Sequence, residues 1–399
     1  MRCGLSWAGR VRLDIQLALG PCVISAQGPA STLAAATFAR ARQVCERLGD
    51  PPEYLHVMHW LMVALAARGQ LPEGREAAIT LVGLAEGRGD RPALINALRA
   101  AGLISVLMGL IVEGYELAER NIMLLGKSTE AERISARAAG QDAEAAGLAV
   151  MSWALWILGH SDDALARMSA ALERADAVQH PHTQAYVCYY ASVLYAWRGE
   201  PAAAYQYAER SLTLSEKHGF RQWRSLSGAV RAICTAVLDQ SSPIDPVVVA
   251  LNEYRGVSYQ FGITALLTLF SGAMIVRNQL DIASDVIEET FATCNANTER
   301  FVEAELCRLK AQMLLVCKSP DAGGQVQLLL ERALAVARSQ RAHSLELRAA
   351  RDLAGLWRDQ GKVEQARQLL APVYGWFTEG FDTRDLKDAK ALLQELARS

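Results

Sequence analysis

The chain has 399 residues, 51% of them hydrophobic, and 41 basic against 43 acidic side chains leave a net charge of −2 with the histidines neutral. That balance supplies no basic stripe of the kind that displaces counterions from a polyanion, so nucleic acid is not an expected partner. A single core seldom grows to this length, which points to several domains or to a repeat that extends its core unit by unit.

In chain order, the first residues carry Arg2, Arg10 and Arg12 around an apolar stretch that Asp14 interrupts, and they read as a helix rather than a signal peptide. That helix begins abruptly with Leu5, Trp7, Val11, Leu13 and Ile15 and no polar cap repeat. Residues 1–50 are therefore expected to form an uncapped first hairpin and to offer a docking face for a missing upstream domain. From Gly28 onward a turn mark recurs at Gly69, Gly109, Gly159, Gly199, Asp239, Asn278, Lys318 and Gly361. The intervals are 39 to 43 residues, except for one of 50 between Gly109 and Gly159. An apolar run with helical spacing precedes each mark, as in Leu61, Val63 and Leu65, and a second amphipathic run follows it. Each unit thus reads as helix, tight turn, helix.

Around several marks a large residue stands four positions before the glycine and a small one five after it, the spacing that lets two helices of a hairpin cross closely. Tyr195, Gly199 and Ala204 satisfy it, as do Trp357, Gly361 and Ala366, and Leu155, Gly159 and Ala164; Gly74 and Gly114 fill the small position earlier. This is the tetratricopeptide pattern with long helices. The expected fold is an all-α, right-handed superhelical solenoid of about eight to nine helix hairpins in one repeat domain over 1–399. Residues 51–381 form its central repeats and 382–399 a C-terminal capping helix, with Asp382 or Thr383 at the cap and Leu386, Ala389, Leu392 and Leu393 covering the preceding repeat. Three places break the rhythm. Lys127 to Gln141 is polar and reads as a longer loop or an added helical turn, Pro243 and Pro246 break the chain after Asp239, and Lys318 to Gly324 holds Pro320 in an extended turn.

Chemistry is hard to place on this chain. The eight cysteines lie in apolar helical stretches with no metal or redox spacing and are expected to be reduced, packed thiols, which suits the cytoplasm. The uncharged run from Gly256 to Val276 is in phase with the repeat and holds Gln260 and Ser271, so it reads as a buried repeat helix rather than a membrane span. Gly126-Lys127-Ser128 matches the tail of a phosphate-binding loop, but Asn121 stands where the first glycine belongs and a helix precedes it. His56 and His59 lie one helical turn apart without a third metal ligand, and His180 and His182 flank Pro181 in what reads as a loop. No catalytic residue, cofactor or metal is expected. In a tetratricopeptide superhelix the first helix of each hairpin lines the concave face. The corresponding offsets select His56, His59, Asn96 and Arg99, then Trp153, Trp156, Tyr186, Tyr189 and Trp197, then Arg308, Arg348, Arg351 and Arg358. An aromatic middle and a basic end are residue types that carry interface energy, and they make a protein or peptide in the groove the expected partner, with no membrane.

The segment SLELRAARDLAGLWRDQGKVEQARQLLAPVYGWFTEGFDTRDLKDAKALL (344–393) resembles the terminal segment of bacterial regulators that join an adenylate or guanylate cyclase domain, an AAA-type ATPase domain and a long tetratricopeptide tail. The resemblance continues at ALGPCVISAQG (18–28), RARQVCERLGD (40–50) and GQDAEAAGLAVMSWALWILGHSDDAL (140–165). It implies a non-enzymatic regulatory tail, since nothing in the chain matches the catalytic domains. Two alternatives are a fragment of such a regulator that has lost its catalytic head, and the repeat module of a transcriptional regulator.

Overall fold

The computed structural model describes residues 2–137, 140–256, 259–317 and 322–398. Among them α1 (Arg2–Gln27) pairs with α2 (Thr32–Leu48), α3 (Tyr54–Ala67) with α4 (Leu71–Arg88), and α5 (Arg91–Leu107) with α6 (Ile111–Gly126). After the short α7 (Glu130–Arg137), α8 (Ala143–Leu158) pairs with α9 (Ser161–Val178), α10 (Pro181–Trp197) with α11 (Pro201–His218), and α12 (Arg221–Leu238) with α13 (Asp245–Arg255). Then α14 (Ile263–Val276) pairs with α15 (Leu280–Asn297), α16 (Glu303–Val316) with α17 (Ala322–Ser339), and α18 (His343–Asp359) with α19 (Val363–Gly375), before α20 (Arg384–Leu396). This is the all-α, tetratricopeptide-like superhelical solenoid that the periodicity requires, with nine hairpins among the described residues.

The helix boundaries follow local chemistry. Asp90 and Asp142 accept the amides of Ala93 and Ala145 at 3.0 Å and so cap α5 and α8. Pro92, Pro181, Pro201 and Pro246 stand in first turns, where no intrahelical amide donor is needed. Turn marks Gly28, Gly69, Gly109, Gly159, Gly199, Asn278 and Gly361 all have positive φ inside their hairpins. Asp239 instead ends α12 in extended backbone, at φ −122°. The Lys318 mark and Pro320 lie outside the described residues. The 50-residue interval contains α7, an added helix rather than a loop. At the far end Thr383 occupies the N-cap position of α20, but its hydroxyl donates to the Gly380 carbonyl and does not cap the helix. Leu386, Ala389 and Leu392 are buried there as the sequence suggests. On α1, Leu13 is buried while Trp7, Val11, Ile15 and Leu19 stand in solvent at 71, 37, 55 and 37% exposure.

Within a hairpin the small residues set the crossing distance. A Cβ on Gly114 would lie 2.8 Å from the Gly102 carbonyl oxygen and 2.9 Å from the Val106 amide, so α5 and α6 cross at backbone contact.

Between hairpins the solenoid winds tightly enough for successive coils to touch. The end of α3 receives the Gln260 amide on the Ala67 carbonyl at 2.9 Å, from the segment leading into α14. The end of α5 receives the Arg300 amide on the Leu107 carbonyl at 2.8 Å, just before α16. The end of α8 receives the Ser344 hydroxyl, at the start of α18, on the Trp156 carbonyl at 2.5 Å. Each contact joins a hairpin to the one five places later. Gly159 shows why the turn residue matters twice: at φ 100° it is left-handed, and a Cβ there would come within 2.6 Å of the Trp376 ring in the next coil.

Candidate functional site

Helices α8 and α10 turn their aromatic residues toward the superhelix axis, where the following coil covers them. Trp153, Trp156, Tyr186, Tyr189 and Trp197 retain only 2, 4, 3, 4 and 6% exposure. Trp153 packs on Tyr190 at 4.3 Å between ring centroids and on Trp197 at 4.7 Å, and its indole nitrogen donates to the Tyr190 carbonyl at 3.0 Å. Trp156 stacks on Trp197 at 5.1 Å, and Phe301 from the next coil lies 6.0 Å from Trp197. These residues form an internal core between the coils instead of the open groove expected from the offsets.

The arginines of the C-terminal coil are also brought to the axis, and there they are paired. Arg308 binds Glu305 at 2.8 Å and Asp352 at 2.7 Å; Arg348 binds Asp385 at 2.8 Å and Glu305 at 3.2 Å; Arg351 binds Asp352 at 2.8 Å and Asp388 at 3.4 Å. Arg348 also donates to the Trp197 carbonyl and lies 5.1 Å from the Trp156 ring, which joins the ionic wall to the aromatic one. Burial alone would push the Glu305 carboxyl up, but Arg308 and Arg348 outweigh it and hold the group down at about 2. Arg358 is peripheral and pairs with Glu395 at 2.6 Å. The basic stretch legible in the sequence is therefore a compensated network.

Other expected groove residues scatter. Asn96 is buried and donates to the Ala136 carbonyl at 3.1 Å, anchoring α7. His56 is exposed beside Trp60. His59 and Arg99, however, border a cavity of about 200 Å³. Its floor is aromatic and buried: Trp153, Tyr186, Tyr189, Tyr190 and Trp223. Its half-exposed rim carries His59, Arg99, Gln141, His182, Gln222, Tyr259 and Phe261. Burial lowers His59 to about 4, with the Arg99 charge adding to it, and burial lowers His182 to about 4 with help from His180, so both imidazoles are neutral at pH 7. The His182 Nε2 accepts the Trp223 indole proton at 2.9 Å.

Sequence reasoning missed Tyr190, Gln222 and Trp223, although the inward face of α12 was within reach of the offsets used for α10. Tyr259 and Phe261 carry no such signal, because only the contact between coils brings their segment to the cavity. Gly126, Lys127 and Ser128 follow α6 directly, and the Lys127 carbonyl accepts from Arg91 at 3.2 Å, so this segment is a helix end and not a phosphate loop. Cys45, Cys188, Cys234, Cys294 and Cys307 are buried, and burial raises their thiols to about 11 or 12, as packed and unreactive groups require. Cys22 and Cys317 are exposed. Where the coils meet, His160, Asp163 and Glu379 bring ligand-type atoms within 4.8 Å of one another. Glu379 is engaged there with the Asp162 amide at 3.0 Å and the Asp163 amide at 3.3 Å. No helix among the described residues is long and apolar enough to cross a membrane.

No family model matches this chain, and no curated protein does. Solved structures with a similar course include yeast Tom70, at 12% identity over 97% of this chain and 90% of that one with a TM-score of 0.42. A monomeric mutant of IFIT1 with Gppp-AAAA matches at 11% identity over 92% and 76%, TM-score 0.43. The tetratricopeptide domain of P58(IPK) matches at 15% identity over 97% and 98%, TM-score 0.26.

Proposed function

We propose that this chain is a non-enzymatic repeat scaffold whose protein partner docks an apolar helix onto α1. The observation that supports it is the stripe of Trp7, Val11, Ile15 and Leu19, spaced four residues apart on one face and left in solvent while Leu13 on the opposite face is buried. In a solenoid such a face is where the second helix of a preceding hairpin would pack, so a helical segment of another polypeptide fits it better than an extended peptide. The aromatic and ionic residues of the axis contribute by holding the coils together: Trp153, Trp156, Tyr186, Tyr189, Trp197, Arg308, Arg348 and Arg351 already have partners within the chain. A peptide reaching them would have to separate the coils. The likeness of segment 344–393 to the tail of cyclase and ATPase regulators favours a regulatory setting for this scaffold.

The test is photo-crosslinking in the native cell from a benzoylphenylalanine at position 15, compared with one at the exposed Lys390 on α20. The expected result is one polypeptide captured from position 15 and lost on Trp7→Ser with Val11→Ser. Equal capture from both positions, or capture of the chain itself alone, would overturn the reading. Turnover of ATP with magnesium that survives repurification would overturn its non-enzymatic part.

A further inference from the structure

The cavity on the axis is built unlike the rest of the interior. Its floor is a set of aromatic rings, with Tyr186 against Tyr190 at 4.4 Å and edge-on to Trp223 at 5.3 Å. One permanent positive charge, Arg99, stands at its rim. The other inner-wall arginines are all matched by carboxylates, whereas Arg99 has no salt-bridge partner among the described residues and its Nε is buried without a hydrogen bond. No Asp or Glu lines the cavity among the described residues. The Tyr186 hydroxyl, on a side chain only 3% exposed, makes no hydrogen bond of normal geometry, and its polar neighbours are the Arg99 guanidinium and the Tyr190 hydroxyl rather than a carboxylate. The buried Glu299 carboxyl takes both the Thr264 amide at 3.2 Å and its hydroxyl at 2.6 Å on one oxygen.

A buried donor without an acceptor costs about 1–3 kcal/mol, and a charged one is normally paired. Two such donors converge on one aromatic space. We propose that this cavity is a binding site for a compact aryl carboxylate, its ring on the Tyr and Trp floor and its carboxylate on Arg99 and the Tyr186 hydroxyl. Size and charge together select this class. A space of about 200 Å³ admits one or two fused rings, since a cavity near 150 Å³ is filled by benzene. One guanidinium with two neutral imidazoles matches a single negative charge and lacks the cations and converging backbone amides that a di- or triphosphate requires. The rim amides of Gln141 and Gln222 supply further polar contacts at the mouth. The inference is independent of the α1 docking face, which lies on the outside of the first hairpin.

Isothermal titration of the full chain with benzoate and indole-3-carboxylate, each against its primary amide and against inorganic phosphate, tests the proposal, with tryptophan fluorescence as the second readout because Trp153 and Trp223 form the floor. The expected result is binding of at least one acid at least about tenfold tighter than its amide, since a charge-assisted contact is lost. That acid should change the tryptophan emission, and Arg99→Met should lose the preference while Arg99→Lys keeps part of it. Equal affinity for acid and amide, phosphate binding as tightly as the acids, or no heat and no emission change with any probe would overturn it. If Arg99→Met fails to fold, the acid-against-amide comparison on the unaltered chain still decides.

Discussion

The two coils of the inner wall bury comparable positions of the repeat with opposite materials. Around α8, α10 and α12 the wall is aromatic; around α16, α18 and α20 it is a lattice of carboxylates and guanidinium groups. Two glutamates six residues apart in the second coil show what the ionic partners do. Burial pushes Glu299 up to about 7, and its hydrogen bonds to Thr264 only partly offset this. Glu305 experiences the same upward push but is held at about 2 by Arg308 and Arg348. Burial sets the problem for both groups, and the neighbours decide whether the charge survives. The ionic wall is then stable only while its members stay paired.

The strongest way to break this contrast is Arg308→Met, which leaves Glu305 and Asp352 in the wall without their cation. It should cost about 3–5 kcal/mol in urea unfolding at pH 7. Glu305 adds stability above the ordinary carboxylate range of 4.5 that is lost as pH falls toward about 2, so the acid limb of the wild-type profile should flatten in the same variant. A cost below about 1 kcal/mol would mean that the network behaves as exposed pairs do.

Gly159→Ala probes the contact between the walls. Left-handed backbone and the approach of Trp376 should together cost on the order of 1–3 kcal/mol, read as a lower thermal midpoint. An unchanged midpoint would show that the coils do not bear on each other at this turn.

Glu299→Gln sharpens the comparison through pH. The folded chain holds the Glu299 proton more tightly than the unfolded one, so this group's contribution is fully present below pH 4.5 and is lost as pH rises through about 7. The variant should be more stable than wild type at pH 8 by about 1–3 kcal/mol, since a rise from 4.5 to about 7 is worth up to about 3 kcal/mol, with the advantage gone at pH 4.5. A pH-independent difference would remove Glu299 as the titrating group. The smallest effect belongs to Arg358→Ala: its pair with Glu395 is 37% and 57% exposed, and the change in stability should stay within about 0.5 kcal/mol.

The hairpins were legible because their determinants are local: an apolar run, a left-handed turn residue, and a small residue a few positions on. A second set of left-handed glycines, Gly49, Gly89 and Gly219, lies between hairpins and marks the other half of the period; it was equally available in the sequence. The site was less legible. Nothing near Trp153 and Trp156 in the sequence states that Phe301 will cover one side and Arg348 another. The arginine stretch looked basic because Arg308 meets Asp352 and Arg348 meets Asp385 only across successive hairpins, 44 and 37 residues away. Tyr259 reaches the cavity because the adjacent Gln260 amide donates to the Ala67 carbonyl, a separation no periodic pattern encodes.

Coils that touch five hairpins apart change how such a chain comes apart. A linear array of repeats couples each unit to its two neighbours, so it can melt from an end or nucleate anywhere and spread. Here Ser344 on Trp156 and Gln260 on Ala67 add a second direction of coupling, from coil to coil. The array acquires a lattice-like connectivity, in which losing one hairpin weakens a distant one as well as its neighbours. Those contacts also span most of half the chain, and their closure entropy must be met before they return anything. Single hairpins can therefore assemble early while the coil-to-coil seam locks last, as one cooperative and comparatively slow event.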